Sequence, residues 1–153
     1  MTRLALSYNS QGKYSEAEIV YKGCLEKQIL ILGENHPNTI STMSNLANNY
    51  NNQGKYSETE NLYKECLEKQ KLILGGNHPV TLVFMNNLAS SYAHQGKCSE
   101  AEIIYKECLE KRKLIFGENH PDTLSTMNNL ANNYNDQGKC SEFEILLNDC
   151  LEK

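Results

Sequence analysis

A period of 42 residues runs through this chain and restricts its possible folds more than any other feature. Gly12, Gly54, Gly96 and Gly138 mark one phase, His36, His78 and His120 a second, and Cys24, Cys66, Cys108 and Cys150 a third. The unit from Asn35 to Gly76, NHPNTISTMSNLANNYNNQGKYSETENLYKECLEKQKLILGG, states the pattern in full. Self-similarity at such a spacing belongs to solenoids, where no unit buries its apolar face alone and stacked neighbours supply the core. With 153 residues, a single array over 1–153 is expected, in units 1–34, 35–76, 77–118 and 119–153 with the first and last truncated.

Each unit reads as helix, short turn, longer helix, short loop. Pro37, Pro79 and Pro121 stand in the first turn of the shorter helix, where a missing N–H costs nothing. Met43, Leu46, Ala47 and Tyr50 share one face of that helix, and Gln53-Gly54 ends it. Ser15, Ser57, Ser99 and Ser141 each precede a glutamate by three (Glu18, Glu60, Glu102 and Glu144), the spacing of a capping box at a helix start. The longer helix then carries Ala17, Tyr21, Cys24, Leu25 and Leu32 on one flank. It runs for about 18 residues, or roughly 27 Å. Gly33, Gly75 and Gly117 are expected to close it in a left-handed cap. The predicted class is all-α, a right-handed solenoid of stacked antiparallel helix pairs.

A net charge of −4 with 22% charged residues offers no basic field, so nucleic acid is not an expected partner. No apolar run approaches the roughly 20 residues of a membrane span, and Met1-Thr2-Arg3-Leu4 does not open a secretory signal; a cytoplasmic location is expected. The four periodic cysteines fall within an apolar helical pattern, where cysteine serves as a small buried hydrophobe. Cys98 and Cys140 replace Tyr14 and Tyr56 of the earlier units, an exchange no metal ligand tolerates. His36, His78 and His120 each precede a proline at a helix start, about one repeat apart, and cannot converge on one ion. There is no nucleophile arrangement and no Gly-rich phosphate loop. The sequence therefore predicts no enzyme, no catalytic residue, no cofactor and no metal.

The segments L-A-x-x-Y, G-K-Y-S-E-A-E and Y-K-x-C-L resemble the tetratricopeptide repeat. The usual period there is about 34. The longer unit, with its L-G-E-N-H-P-x-T junction, resembles those of kinesin light chain and nephrocystin-type proteins. The resemblance implies a superhelix whose first helices line a concave groove for extended peptides. In kinesin light chain an N-N-L-A segment of the first helix contributes to recognition of cargo adaptors. Asn86-Asn87-Leu88-Ala89 and Asn128-Asn129-Leu130-Ala131 match it, and Ser44-Asn45-Leu46-Ala47 matches in part. The kinesin heptad region has no counterpart in this sequence.

The same face emerges from helical geometry alone. Opposite the apolar side of the first helix, at 100° per residue, lie Ser41, Asn45, Asn48 and Asn52. The third unit places Val83, Asn87, Ser90 and His94 there, with Asn86 beside them. The fourth places Ser125, Asn129, Asn132 and Asp136, with Asn128 beside them, and the first supplies Arg3, Leu6 and Ser10. A carboxamide both donates and accepts, so rows of asparagine can pair with the alternating groups of an extended main chain. The expected binding residues are thus Arg3, Asn45, Asn48, Asn52, Val83, Asn86, Asn87, Ser90, His94, Asn128, Asn129, Asn132 and Asp136. The expected partner is a protein or peptide. The competing reading is structural: with Leu4 and Leu6 near one end and Phe143, Leu146 and Leu147 at the other, the chain would be a spacer that stacks on further repeats or another copy.

Overall fold

The computed structural model describes residues 2–152, apart from the side chains of Cys140 and Cys150. Among them every regular element is a helix. In order these are α1 (Thr2–Ser10), α2 (Tyr14–Leu32), α3 (Pro37–Asn52), α4 (Tyr56–Leu74), α5 (Pro79–His94), α6 (Cys98–Phe116), α7 (Pro121–Asp136) and α8 (Cys140–Leu151). Helices of 16 residues alternate with helices of 19 through the complete units. This is the all-α repeat solenoid that the period predicts. The helices fall into two compact units, Met1–Ile73 and Leu74–Lys153.

The start of each short helix is built from three residues. His36, His78 and His120 are the N-caps, in extended conformation, and their Nδ1 atoms accept from the backbone N–H of Asn38, Val80 and Asp122 at 3.1 to 3.2 Å. Proline follows at the first helical position, where its lost donor has no acceptor to miss. Thr39, Thr81 and Thr123 then donate their hydroxyls to the carbonyls of Gly33, Gly75 and Gly117 at 2.8, 2.8 and 2.9 Å. Each threonine clips the new helix to the end of the preceding one.

Two local expectations are corrected. The long helices begin two residues earlier than capping serines would place them, with Lys13, Lys97 and Lys139 as N-caps that make no side-chain capping bond. Glu18 and Glu102 bind lysine and glutamine side chains instead. Two ammonium groups attract the carboxylate with full opposite charges, which a backbone N–H does not carry, and this decides the competition. The cap glycines differ too: Gly33 has φ 91° with ψ 161°, and Gly117 φ 88° with ψ 167°. Their φ is positive, but ψ is extended rather than helical. In this conformation the glycine carbonyl accepts from the threonine hydroxyl.

In the first unit Ala5, Ala17, Tyr21, Leu46 and Tyr50 form one core cluster, with Tyr8, Val20, Leu25 and Leu62 packed around it. Leu32, expected on the buried flank of α2, is exposed near the helix end. In the second unit Leu82, Met85, Leu88, Ala89, Ala101, Tyr105, Leu109, Met127, Leu130 and Tyr134 are buried. The buried alanines present only a methyl group and let the helix axes approach, and the tyrosines fill the space between them. Cys24, Cys66 and Cys108 are buried and free, as their pattern predicts. The thiols of Cys66 and Cys108 face the carbonyls of Ile40 and Leu82 at 3.9 and 3.4 Å. Burial, with some help from nearby Glu65, pushes the Cys66 thiol up to about 12. Cys150, the fourth of the series, and Cys140 lie outside the described side chains.

Candidate functional site

In the first unit α3 turns Met43, Leu46, Ala47 and Tyr50 inward. Asn48 and Asn52 are exposed on its other side, and Asn45 is half-buried. Arg3 of α1 is exposed as well. Asn48 is held from behind: its Oδ1 accepts the hydroxyl hydrogen of Tyr63 from α4. That leaves its two N–H donors as the outward-facing capacity of the amide.

One position along, Asn49 is buried and does a different job. Its Nδ2 donates to Asn9 Oδ1 at 3.0 Å and to the Tyr14 carbonyl at 3.1 Å, and its Oδ1 accepts from Gln53 Nε2 at 2.7 Å. The run Asn48-Asn49 therefore contains one amide for the surface and one that ties the repeats.

In the second unit Val83, His94, Asn128, Asn132 and Asp136 are exposed, while Asn86, Asn87, Ser90 and Asn129 are half-buried. Asn86 Oδ1 accepts from Thr126 Oγ1 at 3.3 Å and lies 3.4 Å from Asn129 Nδ2, so α5 and α7 meet through candidate residues. Behind them Arg112 of α6 is 4% exposed. Its Nη1 donates to Thr126 Oγ1 and to the Asp122 carbonyl, both at 2.7 Å. This buried cation has a hydroxyl and a carbonyl as partners, and through Thr126 it fixes the position of Asn86.

A pocket of about 150 Å³ opens between α5, α6 and α7, lined in part by Ser90, His94, Tyr105, Asn129, Asn132 and Asp136. Five of the thirteen candidate residues thus share one concavity. Val83, Asn87 and Asn128 lie outside its lining. Burial, opposed by a hydrogen bond to Ser90, pushes the Tyr105 phenol up to about 12, so it remains a neutral hydroxyl. No lysine or arginine lines the pocket.

Sequence reasoning did not anticipate Arg112, Thr126 or Asn49. The signal for Arg112 was a break in its column, where Gln28 and Gln70 occupy the same place in earlier units. Among the described residues no group of three His, Cys, Asp or Glu side chains is placed to hold a metal ion. No described helix is long and apolar enough to cross a membrane.

The profile of the tetratricopeptide repeat matches residues 1–71, 41–113 and 81–152. No curated protein matches the chain. Among solved structures it is similar to a Podosopora anserina protein described as a kinesin light chain with nearly identical TPR-like repeats. The two are 24% identical with a TM-score of 0.86, covering 99% of this chain and 72% of that one. A variant of the same protein gives 24% identity and a TM-score of 0.87, over 99% and 71% of the two chains. BtubC (BKLC) from P. vanneervenii is 22% identical with a TM-score of 0.87, over 97% of this chain and 59% of that one. At these identities the likeness is one of fold, that of a stack of tetratricopeptide-type helix pairs.

Proposed function

Because the chain belongs to the tetratricopeptide repeat family, we propose that it is a non-enzymatic interaction module that holds an extended peptide segment of a partner protein on the polar faces of its first helices. Repeats of this family mediate protein–protein interaction, on a fold that serves as a scaffold. The observation that carries the reading is the division of labour along α3, α5 and α7. Their apolar sides are buried, while Asn45, Asn48, Asn52, Asn87, Asn129 and Asn132 remain in partial or full contact with water. Amides steadied from behind, as Asn48 is by Tyr63, lose less side-chain entropy when they bind. The thirteen residues from Arg3 to Asp136 form the proposed contact set, in one array over 1–153 acting as scaffold or adaptor in the cytoplasm.

A peptide-array screen comparing the native chain with Asn87→Ala plus Asn129→Ala tests it. The native chain is expected to retain a subset of extended peptides that the variant releases. Equal retention by both would remove these faces from the account.

A second reading, self-association or stacking on further repeats, is favoured by apolar exposure. Leu4 and Leu6 of α1 are 50% and 46% exposed, and Ile145 of α8 is 63% exposed. A cleft of about 370 Å³ lined by Thr2, Cys24, Lys27, Gln28, Ile31 and Leu32 lies beside α1. Sedimentation equilibrium at several loading concentrations separates the readings, since a strict monomer that retains peptides supports only the first.

A further inference from the structure

The pocket between α5, α6 and α7 contains one departure from the repeat. Ala93 lines it and stands where the other units carry Asn9, Asn51 and Asn135. In the first unit the amide at this place, Asn9, accepts through its Oδ1 from Nδ2 of the buried Asn49. At Ala93 a methyl group stands in place of that amide and lines the pocket. Asn133, the counterpart of Asn49, is 1% exposed and also lines the pocket. Its Nδ2 donates to the Cys98 carbonyl at 2.8 Å, a partner that only accepts, which fixes the orientation of the amide. Its Oδ1 is buried and has no hydrogen-bond partner. In the first unit Gln53 supplies that hydrogen bond, but here Gln137 turns to Cys98 and Glu102.

A native structure rarely leaves a buried acceptor unpaired without a reason. At the rim stands Asp136, exposed and without an ion pair among the described residues. The lining carries one formal charge, the Asp136 carboxylate; its other titratable groups are the imidazole of His94 and the neutral phenol of Tyr105. Hydroxyl and amide groups supply the rest of its polar surface. An anion would meet that carboxylate with no cation to offset it. An apolar group would strand the acceptors. About 150 Å³ is also small beside the roughly 300–1,000 Å³ of pockets that enclose drug-sized ligands.

We propose that this pocket receives the cationic side chain, lysine or arginine, of the peptide segment bound along α5 and α7. An ammonium offers three donors and a guanidinium five, with no acceptor to clash with the Asn133 oxygen or the Asp136 carboxylate. The inference rests on the peptide-binding reading and adds to it a preferred residue class.

The test uses the full chain and an array of extended peptides in a glycine-alanine host, with one central lysine, arginine, norleucine or glutamate. Two variants each restore what other repeats carry, and so keep the fold: Ala93→Asn, as at Asn9 and Asn51, and Asp136→Asn, as at Asn52. The native chain is expected to retain lysine and arginine peptides about fivefold better than norleucine peptides, the scale of a partly exposed ion pair. Both variants should reduce that preference to near unity. A preference that is absent in the native chain, or undiminished in both variants, overturns the proposal. If retention without charge preference is still lost in Asn87→Ala plus Asn129→Ala, the cationic pocket alone fails. If no peptide is retained by any form, the peptide-binding reading fails with it.

Discussion

Glu18 and Lys55 are 37 residues apart in sequence, yet their charged groups meet at 2.7 Å. The same carboxylate accepts from Lys22 at 2.7 Å and from Gln53 at 3.0 Å, so α2 is tied to the turn that follows α3. Glu102 does the same in the second unit, with Lys106 and Lys139 both at 2.6 Å and Gln137 at 3.3 Å. Tyr50 lies under Lys22 and Lys55, and Tyr134 under Lys106 and Lys139, with each ammonium 5.4 to 5.8 Å from the ring centre. These cations stack on the ring faces while they pair with the carboxylate.

Acid should therefore loosen each unit at these joints. Burial alone would raise the Glu18 and Glu102 carboxyls, but the hydrogen bonds from two lysines and a glutamine outweigh it and hold both at about 2, against an ordinary value of 4.5. A depressed folded-state value contributes stability that is fully present above the unfolded value and lost as pH falls toward the folded one. The window is thus from about 4.5 down to about 2. The loss should be on the order of 1 kcal/mol per carboxylate once discounted for the solvent that reaches the lysines. Urea denaturation followed by circular dichroism at pH 7, 5, 4 and 3 measures it. Glu18→Gln plus Glu102→Gln should be less stable at pH 7 and show a flatter acid profile; parallel profiles would refute the assignment.

Asparagines three residues apart should differ sharply. Asn49→Ala removes three hydrogen bonds and leaves Asn9 and the Tyr14 carbonyl without their donor, a loss of about 1–3 kcal/mol. Asn52→Ala, at an exposed position, should stay within about 0.5 kcal/mol. Thermal melts of the two variants decide the matter. Equal destabilisation would mean that the amides of α3 are not divided between packing and surface.

Helix number, lengths and order were legible because the 42-residue period, the prolines and the turn glycines act locally. The histidines were legible as helix starters for the same reason: His36 caps through an atom two residues from its target. The joints between repeats were not. Ser15 and Glu18 carry a motif that is satisfied within four residues, whereas two of the carboxylate's three partners, Gln53 and Lys55, come from the next unit. The exposure of Asn48 followed from its place on the polar stripe, but the burial of Asn49 was hidden, because only its contacts with Asn9, Tyr14 and Gln53 set that amide apart from the asparagine 100° away. What could be read, and was not, are the places where one column changes chemistry: Gln28 and Gln70 against Arg112, and Asn9 and Asn51 against Ala93. Those breaks locate the buried cation and the pocket of the second unit.

The N-cap histidines allow a direct comparison of cap chemistry. His78→Ala deletes the acceptor for the Val80 N–H and should cost about 1 kcal/mol, while His78→Asp restores a cap and should recover most of it. Chemical denaturation of the two variants provides the measurement. An alanine variant as stable as the parent would show that Pro79 alone sets the start of α5.

Two glycines of the first unit should respond in opposite directions to the same substitution. Gly33 combines φ 91° with ψ 161°, a region essentially closed to residues with a Cβ, although no atom lies within 4 Å of where that Cβ would go. Gly33→Ala is therefore opposed by backbone strain rather than by contact, at a cost of about 1–3 kcal/mol. The strain also moves the carbonyl that receives the Thr39 hydroxyl, so the clip to α3 weakens with it. Gly23 sits inside α2 with equally open space around it, where the other units carry Glu65 and Glu107. Gly23→Ala removes the entropic cost of an interior glycine and should add about 0.8–1 kcal/mol. For a chain of this size each kcal/mol moves the melting temperature by about 2–4 °C. Differential scanning calorimetry should find Gly33→Ala below the parent and Gly23→Ala above it, and a shift of the same sign in both would contradict the assigned backbone at the end of α2.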